Sequence, residues 1–383
     1  VAAGGACGIK AGGEADLALV ATADRRPVAT AATFTSNRAP AAPVQVSRTH
    51  LAATGGRSAA VVLNSGNANA ATGGAGRADA EHTCALVAGE LGCRSEEVLV
   101  CSTGLIGIPL PMGLLSGGVV PLAAGLSPDG GAGAAQAILT TDTVAKQTLV
   151  EGPGFRVGGM AKGAAMLAPA MAGPPSATML AVLTTDAAAE PAGLQAALEA
   201  GVRESFDAIS TDGACSTNDT VLLLASGAAG PVDEAALALA VAQSCRDLAE
   251  QMVADAEGAT KVVRVRVSGA ASAADARRAA RRVAESQLCK CSWYGADPYW
   301  GRIVSELGAS GAAFDPDRVV VAYGGVVVCA GGVAVPHDGA ALAAVMAERH
   351  LEVEAELGLG SGATEILTCD LTPGYIDENM RTS

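Results

Sequence analysis

Short apolar runs followed by polar or glycine-rich residues recur in the first half of the chain. Residues 60–63 lead into the polar segment 64–67, and residues 98–101 lead into 102–104. Residues 178–184 form a third apolar run. Apolar runs of this length, bounded by turn residues, are typical of buried strands. We therefore predict buried strands at these three places, with loops at 64–67 and 102–104.

Helical spacing is clearest over residues 233–257. Apolar side chains recur there at intervals of four, four, three and four, which places them on one face of a helix. The residues on this face are Leu237, Val241, Cys245, Leu248 and Met252. Residues 79–91 and the arginine-rich residues 273–285 predict two further helices. Another helix face is marked by Leu194, Leu198, Val202 and Phe206.

Alternation with a period of two marks the strands of the second half. In residues 261–267 the valines share one face and the two arginines share the other, which predicts a half-exposed strand. Residues 319–321 and 326–328 flank Gly324-Gly325, a pattern typical of a hairpin. Two later strands are predicted at 351–357 and 364–368. Strands and helices thus alternate along the chain, as in a layered α/β protein.

Composition bounds the size of the core and the class of partner. The chain has 383 residues, half of them apolar, which is enough for one large domain or roughly two to three smaller ones. Its net charge of -14 argues against nucleic acid as a partner. No uninterrupted apolar run reaches membrane-spanning length, and no basic leader opens the chain. We therefore expect a cytoplasmic protein without membrane contact. Because the first residue is Val1 and not methionine, we also expect further residues to precede it.

The cysteines and histidines give little support to metal or disulfide chemistry. The chain has ten cysteines and none of them forms a CxxC pair, so we interpret them as small buried hydrophobic residues in a reducing compartment. The four histidines lie outside metal-binding and nucleophile-elbow motifs. A Ser-His-Asp triad can assemble in space from distant residues, but no motif here indicates one. We predict no metal ion.

Two hydroxyl-rich segments remain as candidates for chemistry. Residues 101–107 contain Thr103-Gly104 directly after a predicted strand. A bend at that place can aim a hydroxyl and a backbone N–H at one point, as an oxyanion hole requires, but taken alone the pattern favours a structural turn. Residues 212–220 form a polar loop before another apolar run, and turn chemistry explains this loop as well.

Taken together, these segments resemble the ornithine acetyltransferases, also called glutamate N-acetyltransferases. The resemblance covers nearly the full length, and its motifs occur in the order that the family has. The matching segments are residues 8–10, 16–19, 63–70, 102–107, 110–112, 138–142, 159–163, 177–180, 255–258, 297–302 and 369–372. Each motif alone is modest, but so many in one order are hard to explain by chance.

The resemblance implies a fold and a maturation step. The fold is the layered α-β-β-α fold of the ornithine acetyltransferase and DmpA-like superfamily. The chain would cut itself between Ala177 and Thr178, giving an α chain of residues 1–177 and a β chain of residues 178–383. The cut exposes the amine of Thr178, whose reference pKa of about 7.7–8.0 lets it act as the base for its own hydroxyl.

The resemblance also implies a reaction and its residues. Thr178 would take the acetyl group from N-acetylornithine and pass it to glutamate in a ping-pong cycle. Thr103 and Gly104 would stabilise the oxyanion. The implied substrate-binding residues are Thr140, Lys162, Thr178, Glu257, Asn379 and Thr382. No cofactor is implied, although a broader variant of the reaction uses acetyl-CoA as a co-substrate. The implied partners are small molecules and the two chains themselves, paired into a heterotetramer or a larger assembly.

The sequence departs from the family pattern near the implied site. The segment between Lys162 and Thr178 is longer than in the family and contains the rigid stretch 173–176. Tyr299 precedes Trp300, where the family prefers asparagine. These departures suggest altered substrate choice or reduced activity.

The C-terminal tail is shorter than in the family, so that Ser383 is an alternative to Thr382 at the last substrate position. Because of these departures, three alternative functions stay open. The first is a paralogue with a different acyl donor or acceptor, the second is an N-terminal-nucleophile amidase or aminopeptidase, and the third is an uncleaved inactive relative.

Overall fold

The computed structural model describes residues 1–168, 171 and 179–380, which fall into two compact units. The first unit comprises Val1–Asp207 and Ala214–Met252, and the second comprises Ala208–Gly213 and Val253–Ser383. Neither boundary coincides with the predicted cleavage site at Ala177–Thr178, which lies outside the described residues. Within the described ranges, no helix has both the length and the apolar character needed to cross a membrane.

The first unit contains ten strands and six α-helices in the described part of the chain. The strands are β1 (Ala2–Gly5), β2 (Leu17–Ala21), β3 (Val28–Phe34), β4 (Arg57–Ser58), β5 (Ala60–Asn67), β6 (Val98–Leu105), β7 (Lys146–Gly152), β8 (Phe155–Lys162), β9 (Leu180–Ala188) and β10 (Thr220–Pro231). The helices are α1 (Ala42–Ala53), α2 (Gly73–Leu91), α3 (Met112–Ala124), α4 (Gly131–Ala137), α5 (Pro191–Arg203) and α6 (Glu234–Ala254), the last of which ends just beyond the unit boundary.

Two sheets of the first unit pack face to face. One has the strand order β1-β2-β5-β6, and the other has the order β4-β3-β10-β9-β8-β7. We call the apolar layer between them the sandwich core. It contains Val61, Leu63, Leu99, Cys101, Met160, Leu180, Val182, Leu222 and Leu224. Side chains alternate across a strand, so the intervening residues Val62, Val98 and Val100 face the opposite way, into a second apolar cluster with α2 and α3.

Helices cover the outer face of each sheet. Helices α1 to α3 pack on the four-stranded sheet, and α5 packs on β3 and β10 of the six-stranded sheet. Helix α6 lies over β8, since a Cβ built on Gly159 would lie 3.4 Å from Leu248 Cδ1. The predicted apolar face of α6 is confirmed, because all five of its residues are buried. The layers therefore run α-β-β-α, as predicted.

The loops predicted at 64–67 and 102–104 are wrong. Strand β5 continues to Asn67 and β6 continues to Leu105, and the two remain paired in parallel through these polar residues. The polar side chains bond to one another inside the sheet: Ser102 Oγ donates to Asn64 Oδ1 at 2.6 Å, and Asn64 Nδ2 donates to the Asn67 carbonyl at 2.8 Å. Turn-forming side chains with partners of this kind need not end a strand.

Helix and strand ends differ from the predictions by a few residues. Helix α2 ends at Leu91 as expected but begins earlier, at Gly73. The helix predicted through Phe206 ends at Arg203, and Phe206 begins a separate turn of 3₁₀ helix. The strand predicted at 178–184 is β9, which begins at Leu180 and continues to Ala188; Met179 is described but precedes the strand, and Thr178 lies outside the described residues.

The second unit contains six strands and five helices in the described part of the chain. The strands are β11 (Val262–Ala270), β12 (Val320–Tyr323), β13 (Val326–Ala330), β14 (Val333–Ala334), β15 (His350–Glu356) and β16 (Gly362–Cys369). The helices are α7 (Ala273–Ala284), α8 (Gln287–Tyr294), α9 (Trp300–Gly308), α10 (Gly339–Ala347) and α11 (Pro373–Asn379).

One sheet with helices on one face makes up this unit. Its strand order is β14-β13-β12-β15-β11-β16. The alternation predicted for β11 is confirmed, since its valines are buried against the helices while Arg264 and Arg266 form ion pairs with Glu365 and Glu352 on the other face. The predicted hairpin is confirmed as β12 and β13.

The six-stranded sheet of the first unit interleaves the two predicted chains. Its central strands β9 and β10 come after position 178 in the sequence. They lie between β3 and β8, which both come before it, and they are hydrogen-bonded to both neighbours. The predicted α and β chains therefore share one sheet and one sandwich core.

Candidate active site

The sandwich core changes from apolar to polar at one end of its strands. Along β6, Leu99 and Cys101 face the core, and Thr103 is the next residue on the same face. Along β8, Met160 is followed in the same way by Lys162. Thr103 is 0% exposed and Lys162 is 3% exposed. Two polar side chains therefore enter the interior of the unit, where each needs a polar partner.

The Lys162 ammonium is held by two threonine hydroxyls and one carboxylate. Its Nζ donates to Thr103 Oγ1 at 3.1 Å and to Thr140 Oγ1 at 2.7 Å. Asp142 Oδ2 lies 3.8 Å from the same nitrogen. We call these four residues the Lys162 site. A positive charge fixed among hydroxyl groups in this way can bind a carboxylate of a small substrate.

Asp142 connects the backbone around the Lys162 site. Its side chain accepts hydrogen bonds from the backbone N–H groups of Thr140 and Gly163 and from Lys146 Nζ. Burial alone would raise the pKa of this carboxyl, but the charges of Lys162 and Lys146, with the hydrogen bonds from Lys146 and Gly163, lower the pKa to about 2. Asp142 is therefore an anion throughout the physiological pH range.

The end of β6 requires glycine at position 104. Gly104 has a φ of +131°, and a Cβ built on it would lie 2.3 Å from the Gly66 carbonyl carbon and 2.5 Å from the Asn67 nitrogen. Only glycine permits this close backbone approach. Thr103 Oγ1 accepts a hydrogen bond from Lys162, and its own hydrogen can donate to another group. The hydroxyl and the Gly104 N–H are the two donors predicted for the oxyanion hole.

Asn218 ties together the ends of β5 and β6. This side chain is 2% exposed, and its Nδ2 donates to the Ser102 carbonyl at 2.8 Å and to the Ala68 carbonyl at 2.7 Å. The Ser102 carbonyl belongs to the predicted oxyanion segment, and the Ala68 carbonyl belongs to the residue that follows β5. Asn218 belongs to the polar segment 212–220, which the sequence left open as either a functional site or a structural turn. Its hydrogen bond to the Ser102 carbonyl fixes the backbone next to Thr103.

The chain that follows position 178 enters the sheet next to Lys162. The Met179 backbone N–H donates to Asp219 Oδ1 at 2.6 Å, and Met179 is fully buried. Strand β9 starts at the next residue, Leu180, whose register partner on β8 is Lys162. The geometry thus fixes the first described residues of the predicted β chain beside the Lys162 site.

In the second unit, helix α11 is tied to the turn that contains Glu257. Asn379 Nδ2 donates to Glu257 Oε2 at 2.7 Å and to the Tyr375 carbonyl at 2.8 Å. Gly258, with a φ of +64°, permits the close approach of α11, because a Cβ there would lie 2.2 Å from Tyr375 N. Two predicted substrate-binding residues, Glu257 and Asn379, are therefore in direct contact.

The structure brings the described site residues together in two groups. The group in the first unit consists of Thr103, Gly104, Thr140 and Lys162. The group in the second unit consists of Glu257 and Asn379. Outside the described residues lie Ala177, Thr178 and Thr382, and their roles stay predictions. Across the described ranges, no three His, Cys, Asp or Glu side chains are placed to hold a metal ion together.

Sequence reasoning assigned no role to Asp142, Lys146 or Asn218. The spacing of four between Asp142 and Lys146 could have indicated an ion pair. This spacing usually marks an exposed pair on a helix, however, and not a buried pair at a functional site. No pattern could connect Asn218 to Ser102, which lies 116 positions away. These contacts depend on which strands become neighbours.

Comparison with known proteins gives a match over the whole chain. Residues 1–382 match the model of the ArgJ family. The arginine biosynthesis bifunctional protein ArgJ of Thermobifida fusca is 48% identical over 383 residues, covering 100% of this chain and 97% of the relative. The protein of the same name from Streptomyces coelicolor is also 48% identical, with 100% of this chain and 97% of the relative covered.

A solved structure agrees with these sequence matches. The crystal structure of arginine biosynthesis bifunctional protein argJ from Bacillus halodurans is 34% identical to this chain, with a TM-score of 0.50. The match covers 51% of this chain and 96% of that chain. The resemblance to the ornithine acetyltransferases that the motifs predicted is confirmed, and with it the class of enzyme, an acyltransferase of arginine biosynthesis. The chain belongs to the ArgJ family.

Proposed function

We propose that this chain transfers an acetyl group from N-acetylornithine to glutamate. The nucleophile is the Thr178 hydroxyl, after the chain has cut itself between Ala177 and Thr178. Membership of the ArgJ family supports acyl transfer within arginine biosynthesis. The identities of the two substrates and of the nucleophile are implied by the motifs that this chain shares with ornithine acetyltransferases.

The observation that supports this function most directly is the Lys162 site at the start of β9. Both substrates carry an α-carboxylate, and a buried ammonium held by two hydroxyls suits that group. Lys162 is the register partner of Leu180, which comes two residues after Thr178. The short connection between Thr178 and Leu180 supports the assignment of Thr178 as the nucleophile that acts at this site.

The proposed cycle has two halves. In the first, Thr178 Oγ attacks the acetyl carbonyl of N-acetylornithine, the C–N bond breaks, and ornithine leaves with the proton released by the hydroxyl. In the second, the glutamate amine attacks the acetyl ester on Thr178, which forms N-acetylglutamate and returns a proton to the hydroxyl. Each half passes through a tetrahedral oxyanion, to which the Thr103 hydroxyl and the Gly104 N–H are proposed to donate.

Self-cleavage supplies the base for this cycle. Thr178 Oγ attacks the Ala177 carbonyl, the peptide C–N bond breaks, and water then opens the resulting ester. The products are a carboxylate at Ala177 and a free amine at Thr178, and that amine can accept the hydroxyl proton near neutral pH. The match to the Bacillus halodurans structure supports a divided polypeptide, because it spans 96% of that chain but only 51% of this one.

The remaining predicted features belong to the same proposal. Glu257 and Asn379 are proposed to contact substrate, together with Thr382 or Ser383 from the tail. The proposed enzyme works in the cytoplasm as an αβ pair that assembles further, and in the broader variant of the reaction it also accepts acetyl-CoA as donor. These roles are supported by the family resemblance alone.

Product analysis is expected to show transfer and not hydrolysis. With N-acetylornithine and glutamate together, ornithine and N-acetylglutamate should form in equal amounts. Without glutamate, ornithine release should stop after a burst of about one molecule per active site, because the acetyl group waits on Thr178. Steady release of ornithine and acetate in the absence of glutamate would identify an amidase and contradict the proposal.

The interleaved sheet predicts that the cut chain stays together. Separation would break the β3–β10 and β8–β9 ladders and expose the sandwich core. We therefore expect two bands on a denaturing gel but one species in size-exclusion chromatography without denaturant. A single denatured band near 37.5 kDa would contradict self-cleavage. Two separate species without denaturant would contradict the shared sheet.

A further inference from the structure

At the polar end of the sandwich core, two buried lysines lie within 4 Å of one buried carboxylate. The side chains of Lys146 and Asp142 are 0% exposed, and that of Lys162 is 3% exposed. The two lysines share the carboxylate unequally. Lys146 Nζ lies 2.6 Å from Asp142 Oδ1, whereas Lys162 Nζ lies 3.8 Å from Asp142 Oδ2. Together the three side chains sum to a charge of +1.

We propose that Lys146 and Asp142 are positioning residues that set the charge and the place of Lys162. Lys146 neutralises Asp142 at short range, so the Lys162 ammonium keeps its positive charge for a substrate carboxylate. The inference rests on the proposed function, in which Lys162 binds the α-carboxylate of both substrates.

Distances and hydrogen bonds support this division of roles. Lys146 Nζ donates a hydrogen bond to Asp142 Oδ1 at 2.6 Å, whereas Lys162 Nζ lies 3.8 Å from Asp142 Oδ2, which is too far for a hydrogen bond. Asp142 is also fixed by two backbone N–H groups, which prevent it from moving toward Lys162. The charge of Asp142 acts on Lys10 as well, but two other carboxylates act on Lys10 more strongly.

Loss of Lys146 would change the balance of charge at the Lys162 site. Asp142 would then have Lys162 as its nearer cation, and the pair would sum to zero. The ammonium would be drawn toward the carboxylate and away from the hydroxyls of Thr103 and Thr140. An ammonium that is paired with a carboxylate at short range attracts a substrate carboxylate much less than one that is held by neutral hydroxyls.

Two variants separate charge balance from simple packing. Lys146→Met removes one positive charge and lowers the sum from +1 to 0. Adding Asp142→Asn removes the negative charge and restores the sum to +1. Methionine is close to lysine in length, and asparagine has the shape of aspartate, so the packing changes are small. In the double variant the charge of Asp142 is removed together with that of Lys146, so no carboxylate loses its partner, and this variant is expected to fold even where the single variant does not.

We expect Lys146→Met to raise KM for N-acetylornithine and for glutamate about tenfold or more, with kcat within roughly threefold of the unmodified enzyme. In Lys146→Met/Asp142→Asn, KM should return to within about threefold of the unmodified value. If Lys146 and Asp142 had only a structural role, KM would be higher in the double variant than in the single variant, because the losses of packing and hydrogen bonding would accumulate.

Two controls connect the effect to the substrate carboxylate. N-acetylputrescine is the donor without its α-carboxylate, so Lys146→Met should leave kcat/KM for this analogue unchanged. Lys290 is a matched lysine of the second unit, 3% exposed and bonded to Thr368 Oγ1 and the Cys369 carbonyl. Lys290→Met should lower the thermal stability of the protein without changing KM for either substrate.

The KM values of these variants can refute the inference about Lys146 and Asp142 without refuting the proposed function. An unchanged KM in Lys146→Met, or a KM in the double variant above that of the single variant, refutes the roles of Lys146 and Asp142 alone. Where Lys146→Met does not fold, a tenfold rise of KM in the double variant refutes them instead. No acetyl transfer from N-acetylornithine to glutamate by the unmodified chain refutes the proposed function, and this inference with it.

Discussion

Replacing Thr178 with alanine is expected to give an uncut chain that does not transfer acetyl groups. A methyl group cannot attack the Ala177 carbonyl, so neither the free amine nor the acetyl-enzyme can form. Loss of a nucleophile of this kind lowers turnover by at least ~10⁴-fold. A denaturing gel should show one band near 37.5 kDa, and N-acetylglutamate formation should fall to background.

A serine at the same position provides the matched control. Thr178→Ser keeps the hydroxyl, so the chain should still be cut and should still transfer acetyl groups, although more slowly. In the unmodified enzyme, N-acetylornithine without acceptor should leave one acetyl group on the N-terminal peptide of the β chain, and glutamate should remove it. An uncut Thr178→Ala chain with turnover within about tenfold of normal would refute the assignment of the nucleophile.

The buried layers of the fold could be predicted from the sequence because each has a simple periodic pattern. Residues 98–101 are apolar at every position, and the structure buries both faces of that strand, one in the sandwich core and the other under helices. The alternating valines and arginines of 261–267 give a strand with one charged face. The spacing over 233–257 gives α6 with a buried face.

Polar residues inside strands were not predictable by the same reasoning. Asn64 and Ser102 have the composition of turns, yet each continues a strand because its side chain bonds to the other. Whether a polar residue ends a strand depends on the partner that the neighbouring strand supplies. The division into two units has a similar origin, since residues 208–213 join the second unit through contacts such as the bridge between Ile209 and Leu367.

Only those residues of the candidate site that belong to family motifs could be predicted from the sequence. Thr103, Thr140 and Lys162 come from three separate motifs, and the structure places their polar atoms within hydrogen-bonding distance. Asp142 was part of a matching motif, but nothing in the motif indicates that two lysines share its carboxylate. Charge sharing depends on distances of a few ångströms, which a linear sequence does not record.

Replacing Thr103 with valine is expected to slow acetyl transfer while leaving the fold intact. Valine has the shape of threonine without the hydroxyl, and Thr103 is 0% exposed, so the packing of β6 should be kept. Loss of one oxyanion donor lowers kcat by about 10²–10³-fold. KM should change less, because Lys162 keeps its contacts with Thr140 and Asp142. Steady-state kinetics on the cleaved fraction, with thermal unfolding as a check, measures this.

Two matched variants separate the oxyanion role from support of Lys162. Thr103→Ser restores the donor and should recover most of kcat. Thr140→Val removes the other hydroxyl that accepts from Lys162 and should act mainly on KM, because Thr140 has no proposed part in the oxyanion hole. If Thr103→Val folds, is cut and keeps its kcat, Thr103 does not stabilise the oxyanion. If both valine variants change KM alone, the two threonines serve only to hold the ammonium.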